Sequence, residues 1–166
     1  MTLAEGPNHT YCFRGTWMMQ NRNLAHDAMR VLDAQTDMTV AFEARCTPTT
    51  DVVFIFDRSL THAYGTNYCV RLHSTPYTCT QSEVRVNFDI IRQDSVAEGA
   101  ADGFIMHQAR WTLCHEIGHS VGLTHSPDGK DCMRYANWNP ALFTSQYQRY
   151  SPEHVRHINS RRVSLS

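Results

Sequence analysis

Residues 111 to 125 read Trp111-Thr-Leu-Cys-His115-Glu116-Ile-Gly-His119-Ser-Val-Gly122-Leu-Thr-His125, and the chain runs on to Cys132-Met133-Arg134-Tyr135. His115, Glu116 and His119 form H-E-x-x-H. On a helix, positions i and i+4 stand one above the other, so both imidazoles can reach one cation. Glu116 is one step round the helix, within reach of a water on that cation without being a ligand. A straight helix would carry His125 away. Gly122 allows a sharp, left-handed turn that returns the third imidazole to the metal. Three neutral histidine nitrogens with one open position describe a catalytic zinc site, because a structural site closes its fourth position with a protein ligand. A single histidine here would read as a solvated or hydrogen-bonded side chain. The complete H-E-x-x-H-x-x-G-x-x-H pattern, with Met133 eight residues past the last histidine, is hard to obtain by chance.

At these residues the sequence resembles the metzincin clan of zinc endopeptidases, whose signature joins the long zinc motif to a methionine-bearing turn beneath the metal. The match covers residues 115 to 125 and Met133; elsewhere the chain fits in the order of its elements. Ser126 and the eight-residue step to Met133 look like the matrixin branch. Tyr135 looks like the astacin and serralysin branches, where a tyrosine there can touch the metal or the transition state. A small secreted bacterial metzincin is the description that suits this mixture.

The resemblance implies an α+β, metzincin-like zincin fold: a five-stranded twisted mixed sheet, two main helices (one bearing the zinc motif) and a C-terminal helix. It also implies one catalytic Zn2+ held by His115, His119 and His125; a structural Ca2+ is open but not indicated. Zinc-assisted peptide hydrolysis follows, with Glu116 as general base. Tyr135 either donates a hydrogen bond to the oxyanion or packs at its loop, and Met133 supports the site by packing. The expected partner is a protein or peptide substrate bound to a monomer. Two other classes stand beside this reading. One is a catalytically silent zinc-bound binding or toxin module of the same fold, against which the intact Glu116 speaks. The other is a zinc hydrolase of a non-peptide amide or ester.

Working outward, 166 residues suit one catalytic domain spanning 1–166 with a proper core. The formal charge of -1 comes from scattered residues, which points to no nucleic-acid or membrane-surface partner. No run reaches the ~20 apolar residues of a membrane span. Met1-Thr2-Leu3 opens a polar segment without an apolar signal core or a recognisable inhibitory segment, so the expectation is a mature domain. Six cysteines (Cys12, Cys46, Cys69, Cys79, Cys114, Cys132) include no C-x-x-C pair, which favours disulfides and a secreted, extracellular setting. Fifteen pairings are open. In the fold the resemblance implies, the first two strands are neighbours, which would let Cys12 meet Cys46. Cys69 and Cys79 flank a strand-end loop, and Cys114 with Cys132 would clamp the zinc helix to the turn beneath the metal.

In chain order, residues 10 to 14 read as a short strand and 17 to 36 as an amphipathic helix, with Met18, Met19 and Met29 as packing residues. Strand patterns follow at 38 to 45, 51 to 56, 66 to 72 and 83 to 91. The strand at 66 to 72 is expected to form the cleft edge that binds an extended substrate. Residues 93 to 103 read as a loop, 104 to 121 as the zinc helix, and Pro127-Asp128-Gly129 as a turn. Residues 136 to 150 read as irregular, with Trp138, Leu142, Phe143 and Tyr147 available to wall a substrate pocket. Ser151-Pro152-Glu153 opens a final helix. Histidines 9, 26, 62, 73, 107, 154 and 157 read as surface or structural.

Overall fold

The computed structural model describes residues 3–4, 6–72, 78–97, 99, 102–128, 130–135 and 148–161. Its elements in chain order are β1 (Leu3–Ala4), β2 (Asn8–Arg14), α1 (Met19–Gln35), β3 (Thr39–Phe42), β4 (Val52–Phe56), β5 (Gly65–Leu72), β6 (Thr78–Val86), α2 (Phe88–Ala97), α3 (Asp102–Ser120) and α4 (Pro152–Arg161). The fold is α+β. Strands β2 to β6 make the mixed sheet, and the two-residue β1 adds to it alongside β6. The order β6-β4-β2-β3 is parallel throughout, and β5 runs antiparallel on β6. Parallel neighbours need a crossover, which α1 supplies between β2 and β3.

Alternation along the strands sorts the two sheet faces. Phe13, Phe54 and Val84 stand in register across β2, β4 and β6, as do Tyr11 and Val52. These residues join Leu24, Met29 and Leu32 of α1 and Leu113 and Ile117 of α3 in one hydrophobic cluster. On the alternate positions Arg14 and Arg85 both bond Glu83, at 2.7 and 2.6 Å, and Arg85 also reaches Asp57 at 3.0 Å. From Trp111 to Gly118 every residue of α3 is buried, so this helix has no polar stripe of its own. It runs through the interior and carries the zinc motif with it.

The six sulfurs pair as Cys12–Cys46, Cys69–Cys79 and Cys114–Cys132, the three pairs put forward from the sequence. The first ties β2 to the loop after β3, and the second ties β5 to β6. The third joins α3 to the turn bearing Met133.

Several boundaries differ from the sequence reading, each for a local reason. The strand expected at 83 to 91 ends at Val86, and the loop expected at 93 to 103 is helical as far as Ala97. Asn87 decides both. Its Oδ1 accepts from the amides of Asp89 at 3.1 Å and Ile90 at 3.3 Å, an N-cap that starts α2. Phe88, Ile91 and Ser95 then face inward at helical spacing. Met29 is fully buried as expected, but Met18 and Met19 are 68% and 78% exposed and lie outside the core. At the last helix Ser151 Oγ accepts from the His154 amide at 3.3 Å, the cap that the Ser-Pro pair announced. The irregular stretch is outside the described residues from 136 to 147, as are Gly129 and His73.

Phe54 heads the fully buried side chains by volume. Phe54→Ala is expected to cost about 3–5 kcal/mol in denaturant unfolding, from lost transfer energy plus the cavity left behind. A loss below about 1 kcal/mol would show that the sheet–helix core does not close on this ring.

Candidate metal centre and active site

α3 sets His115 and His119 one turn apart, with ring centroids 4.7 Å from each other. The helix ends at Ser120, and Gly122 follows with φ of 85°. The Gly122 amide donates to His119 O and the Leu123 amide to Gly118 O, each at 3.0 Å. That pair of bonds is a Schellman ending, and the left-handed residue it requires is the glycine. The chain reverses there and brings His125 back, its ring centroid 5.0 Å from both other rings. One ligand nitrogen from each of the three histidines falls within a span of 4.8 Å.

The hydrogen bonds behind the rings settle their tautomers. His115 Nδ1 lies 2.9 Å from Cys132 O, and His119 Nδ1 lies 2.9 Å from Leu123 O. A carbonyl only accepts, so both Nδ1 atoms carry the proton and both Nε2 atoms are bare lone pairs. These two lone pairs face each other across 3.1 Å. Such an approach is repulsive unless a cation lies between them. Tetrahedral zinc with Zn–N bonds of about 2.0–2.1 Å spaces neighbouring nitrogens by about 3.3 Å. The residues present therefore fit a zinc ion. Burial lowers His115 from 6.5 to about 4, and burial likewise lowers His119. Both rings are held neutral, the form that ligates.

Glu116 is buried beside them, and desolvation raises its carboxyl to about 8. Gly65, at the start of β5, lets the edge strand approach it: a Cβ there would stand 2.8 Å from Glu116 Cγ and from Thr112 Cγ2. Met133 is fully buried under the helix. A Cβ on Gly118 would collide with Met133 Sδ and meet Tyr150 Cε1 at 3.0 Å, so the methionine turn closes on the helix only over a glycine. Tyr135 is 71% exposed and stands edge-on to His125 at 5.0 Å between centroids. It occupies the open rim of the site.

The turn is braced from below by residues the motif did not single out. Asp131 is fully buried; its Oδ1 accepts from the Met133 amide at 2.8 Å, and its Oδ2 lies 2.6 Å from His154 Nδ1 of α4. Cys132 N donates to Arg149 O at 2.8 Å, and the Tyr150 hydroxyl donates to Cys114 O at 3.0 Å. Burial, followed by the nearby Asp131, raises the Tyr150 hydroxyl far above its ordinary range. His9 lies behind the end of α3, 3.3 Å from Ser120 Oγ, and burial lowers its pKa against the raising influence of Asp51. These histidines are structural, as the sequence reading had them. His62 differs in lining a cavity at the site.

Two cavities flank Glu116. One, of 480 Å³, opens between the loop before β5, α2 and α3, and includes Tyr64, Ile90, Asp94 and Trp111 in its walls. The other, of 510 Å³, follows β5 along Thr66, Asn67 and Tyr68. Residue spacing announced neither Gly65 nor Asp94, which come to the site from distant parts of the chain. Gly118 carried a signal in retrospect, a glycine buried mid-helix directly before a ligand.

No protein-family model and no curated protein matches the sequence. Among solved structures, the fold is similar to that of archaemetzincin from Methanopyrus kandleri. The likeness covers 98% of this chain and 96% of that chain, with a TM-score of 0.53 and 12% identity.

The metal-free protein should have a stability maximum near pH 6.5. His9, His115 and His119 titrate below their unfolded value of 6.5, so their contribution is complete above that pH and is lost as pH falls toward about 4. Glu116 has the opposite sign: its contribution is complete below the unfolded value of 4.5 and is lost as pH rises through about 8. Melting temperatures measured in chelator across this range test the pattern. A flat profile would show that these groups are not buried in the metal-free fold.

Proposed function

We propose that this chain is a zinc-dependent endopeptidase of metzincin type, secreted and acting on proteins or peptides. The observation that carries the proposal is the pair of bare Nε2 lone pairs of His115 and His119, 3.1 Å apart, with His125 within ligand range. The likeness of fold to a protein named archaemetzincin supports it at the level of architecture. Three disulfides are compatible with an extracellular protein. Among the described residues no helix is long and apolar enough to cross a membrane.

His115, His119 and His125 would hold the zinc. When bound, it supplies a Lewis acid that polarises a scissile carbonyl and makes a water acidic near neutral pH. Glu116 takes a proton from the attacking water and returns it to the departing amine. Tyr135, on the rim beside His125, would donate its hydroxyl to charge developing on the carbonyl oxygen. The antiparallel edge strand β5 offers main-chain groups to an extended peptide, with one cavity on either side of Glu116 for its side chains.

Zinc-loaded protein should cleave a denatured protein substrate and stop when a chelator is added. Glu116→Ala should keep one zinc per chain by metal analysis and lower kcat at least a thousandfold, about 4 kcal/mol of barrier. Substantial residual turnover would show that the base is another group. Tyr135→Phe should cost about tenfold to a hundredfold in kcat if its hydroxyl serves the oxyanion, and nothing if it only packs.

A further inference from the structure

The two cavities beside Glu116 differ in charge. Along β5 the walls carry no aspartate, lysine or arginine; their ionisable side chains are Glu116, Tyr68 and the three zinc-motif histidines. The cavity toward α2 holds a second carboxylate, Asp94, and its described lining includes no lysine or arginine. Asp94 and Ile90 are four residues apart on α2, so both project from one helix face, here into the cavity. The Tyr64 hydroxyl donates to Asp94 Oδ2 at 3.0 Å, which holds the half-buried carboxylate in place. Among the described residues no cation pairs with it. Arg58 pairs instead with Asp89 of the same helix, at 2.7 Å. The remaining walls, Ile90 and Trp111, are an aliphatic chain and an indole, which suit a long methylene stem.

We propose that Asp94 is a specificity-determining residue, and that the α2 cavity selects a substrate peptide with an arginine or lysine side chain next to the bond cleaved. This rests on the endopeptidase reading. The basic head group would meet the Asp94 carboxylate while its stem packs along Trp111 and Ile90, and the guanidinium of arginine can bond the carboxylate through two N–H groups. An acidic side chain would meet two carboxylates, Asp94 and Glu116, in one cavity. An apolar side chain would leave Asp94 desolvated with the Tyr64 hydroxyl as its one described hydrogen-bond donor.

The test uses zinc-loaded protein and peptides that place Arg, Lys, citrulline, Leu or Glu at each position flanking the cleaved bond. Citrulline keeps the shape of arginine without its charge. At one of these positions kcat/KM for Arg should exceed that for citrulline and for Leu by about tenfold, with Glu poorest. Asp94→Asn should bring the Arg-to-citrulline ratio to about one, and Asp94→Lys should invert the order toward Glu. Equal rates for Arg and citrulline in the unaltered protein would overturn the proposal whatever the variants do. So would an unchanged ratio in Asp94→Asn. The same peptides titrated calorimetrically into zinc-loaded Glu116→Gln read the preference without turnover. A tenfold Arg preference there, lost on adding Asp94→Asn, supports Asp94 even if no peptide is ever cleaved, an outcome that would count against the endopeptidase reading alone. Equal binding of Arg and citrulline in that titration counts against Asp94 alone.

Discussion

Two imidazole N–H groups committed to backbone carbonyls are the constraint on which the site depends. Because His115 donates backward to Cys132 O and His119 to Leu123 O, neither ring can rotate or change tautomer without breaking a hydrogen bond that is buried or partly buried. Their other nitrogens are thereby forced to face each other as lone pairs. The arrangement is unfavourable by itself and favourable around a divalent cation, which is why the residues present fit a zinc ion. The acceptors also matter for where they lie. Leu123 belongs to the helix ending that Gly122 creates, and Cys132 belongs to the methionine turn.

That dependence explains why so much of the interior converges beneath the zinc motif. The methionine turn is held by the Cys114–Cys132 bond, by the Asp131 carboxylate and by the Arg149 carbonyl. α4 reaches the same turn through His154 and Asp131. Tyr150 ties the segment before α4 to the carbonyl of Cys114, one residue ahead of the first ligand. A shift of the C-terminal helix would thus be felt at His115 through two intermediate contacts. The absence of a side chain on Gly118 lets Met133 lie directly against the helix, and a larger residue there would force the Met133 side chain to move.

The open side of the site follows different rules. β5 pairs only with β6 among the described strands, so its outer edge is free to meet an extended chain. Gly65 lets that edge come against Glu116, which both buries the carboxylate and brings the edge strand close to it. Desolvation by these neighbours is what raises the Glu116 carboxyl. The same α2 that the Asn87 cap initiates carries Ile90 and Asp94 to the mouth of one cavity, so a cap far from the zinc motif in sequence shapes the ground next to it.

How much of this could be read from the residues alone differs from place to place. The zinc motif, the turn at Gly122 and the start of α4 were legible because each rests on short-range geometry: helical periodicity, a left-handed glycine, a Ser-Pro cap. Alternation and helical spacing marked the strands and helices, whereas the α+β class and the edge strand came from what the resemblance to metzincins implies. The end of β6 and the whole of α2 were misread, since Val84, Val86, Phe88 and Ile90 continue an alternating pattern and only the Asn87 side chain interrupts it. Met18 and Met19 read as packing residues because they belong to the α1 segment, but they sit at its exposed entry. Asp131, His154, Tyr150, Gly65 and Asp94 lay beyond reach for a common reason. Their roles are set by partners tens of residues away, and spacing along a chain carries no record of which side chains the tertiary fold brings within hydrogen-bond distance. The sequence by itself determined which atoms could bind a metal; the packing of sheet, helix and turn decided how those atoms are oriented, what braces them and what the neighbouring cavities present to a substrate.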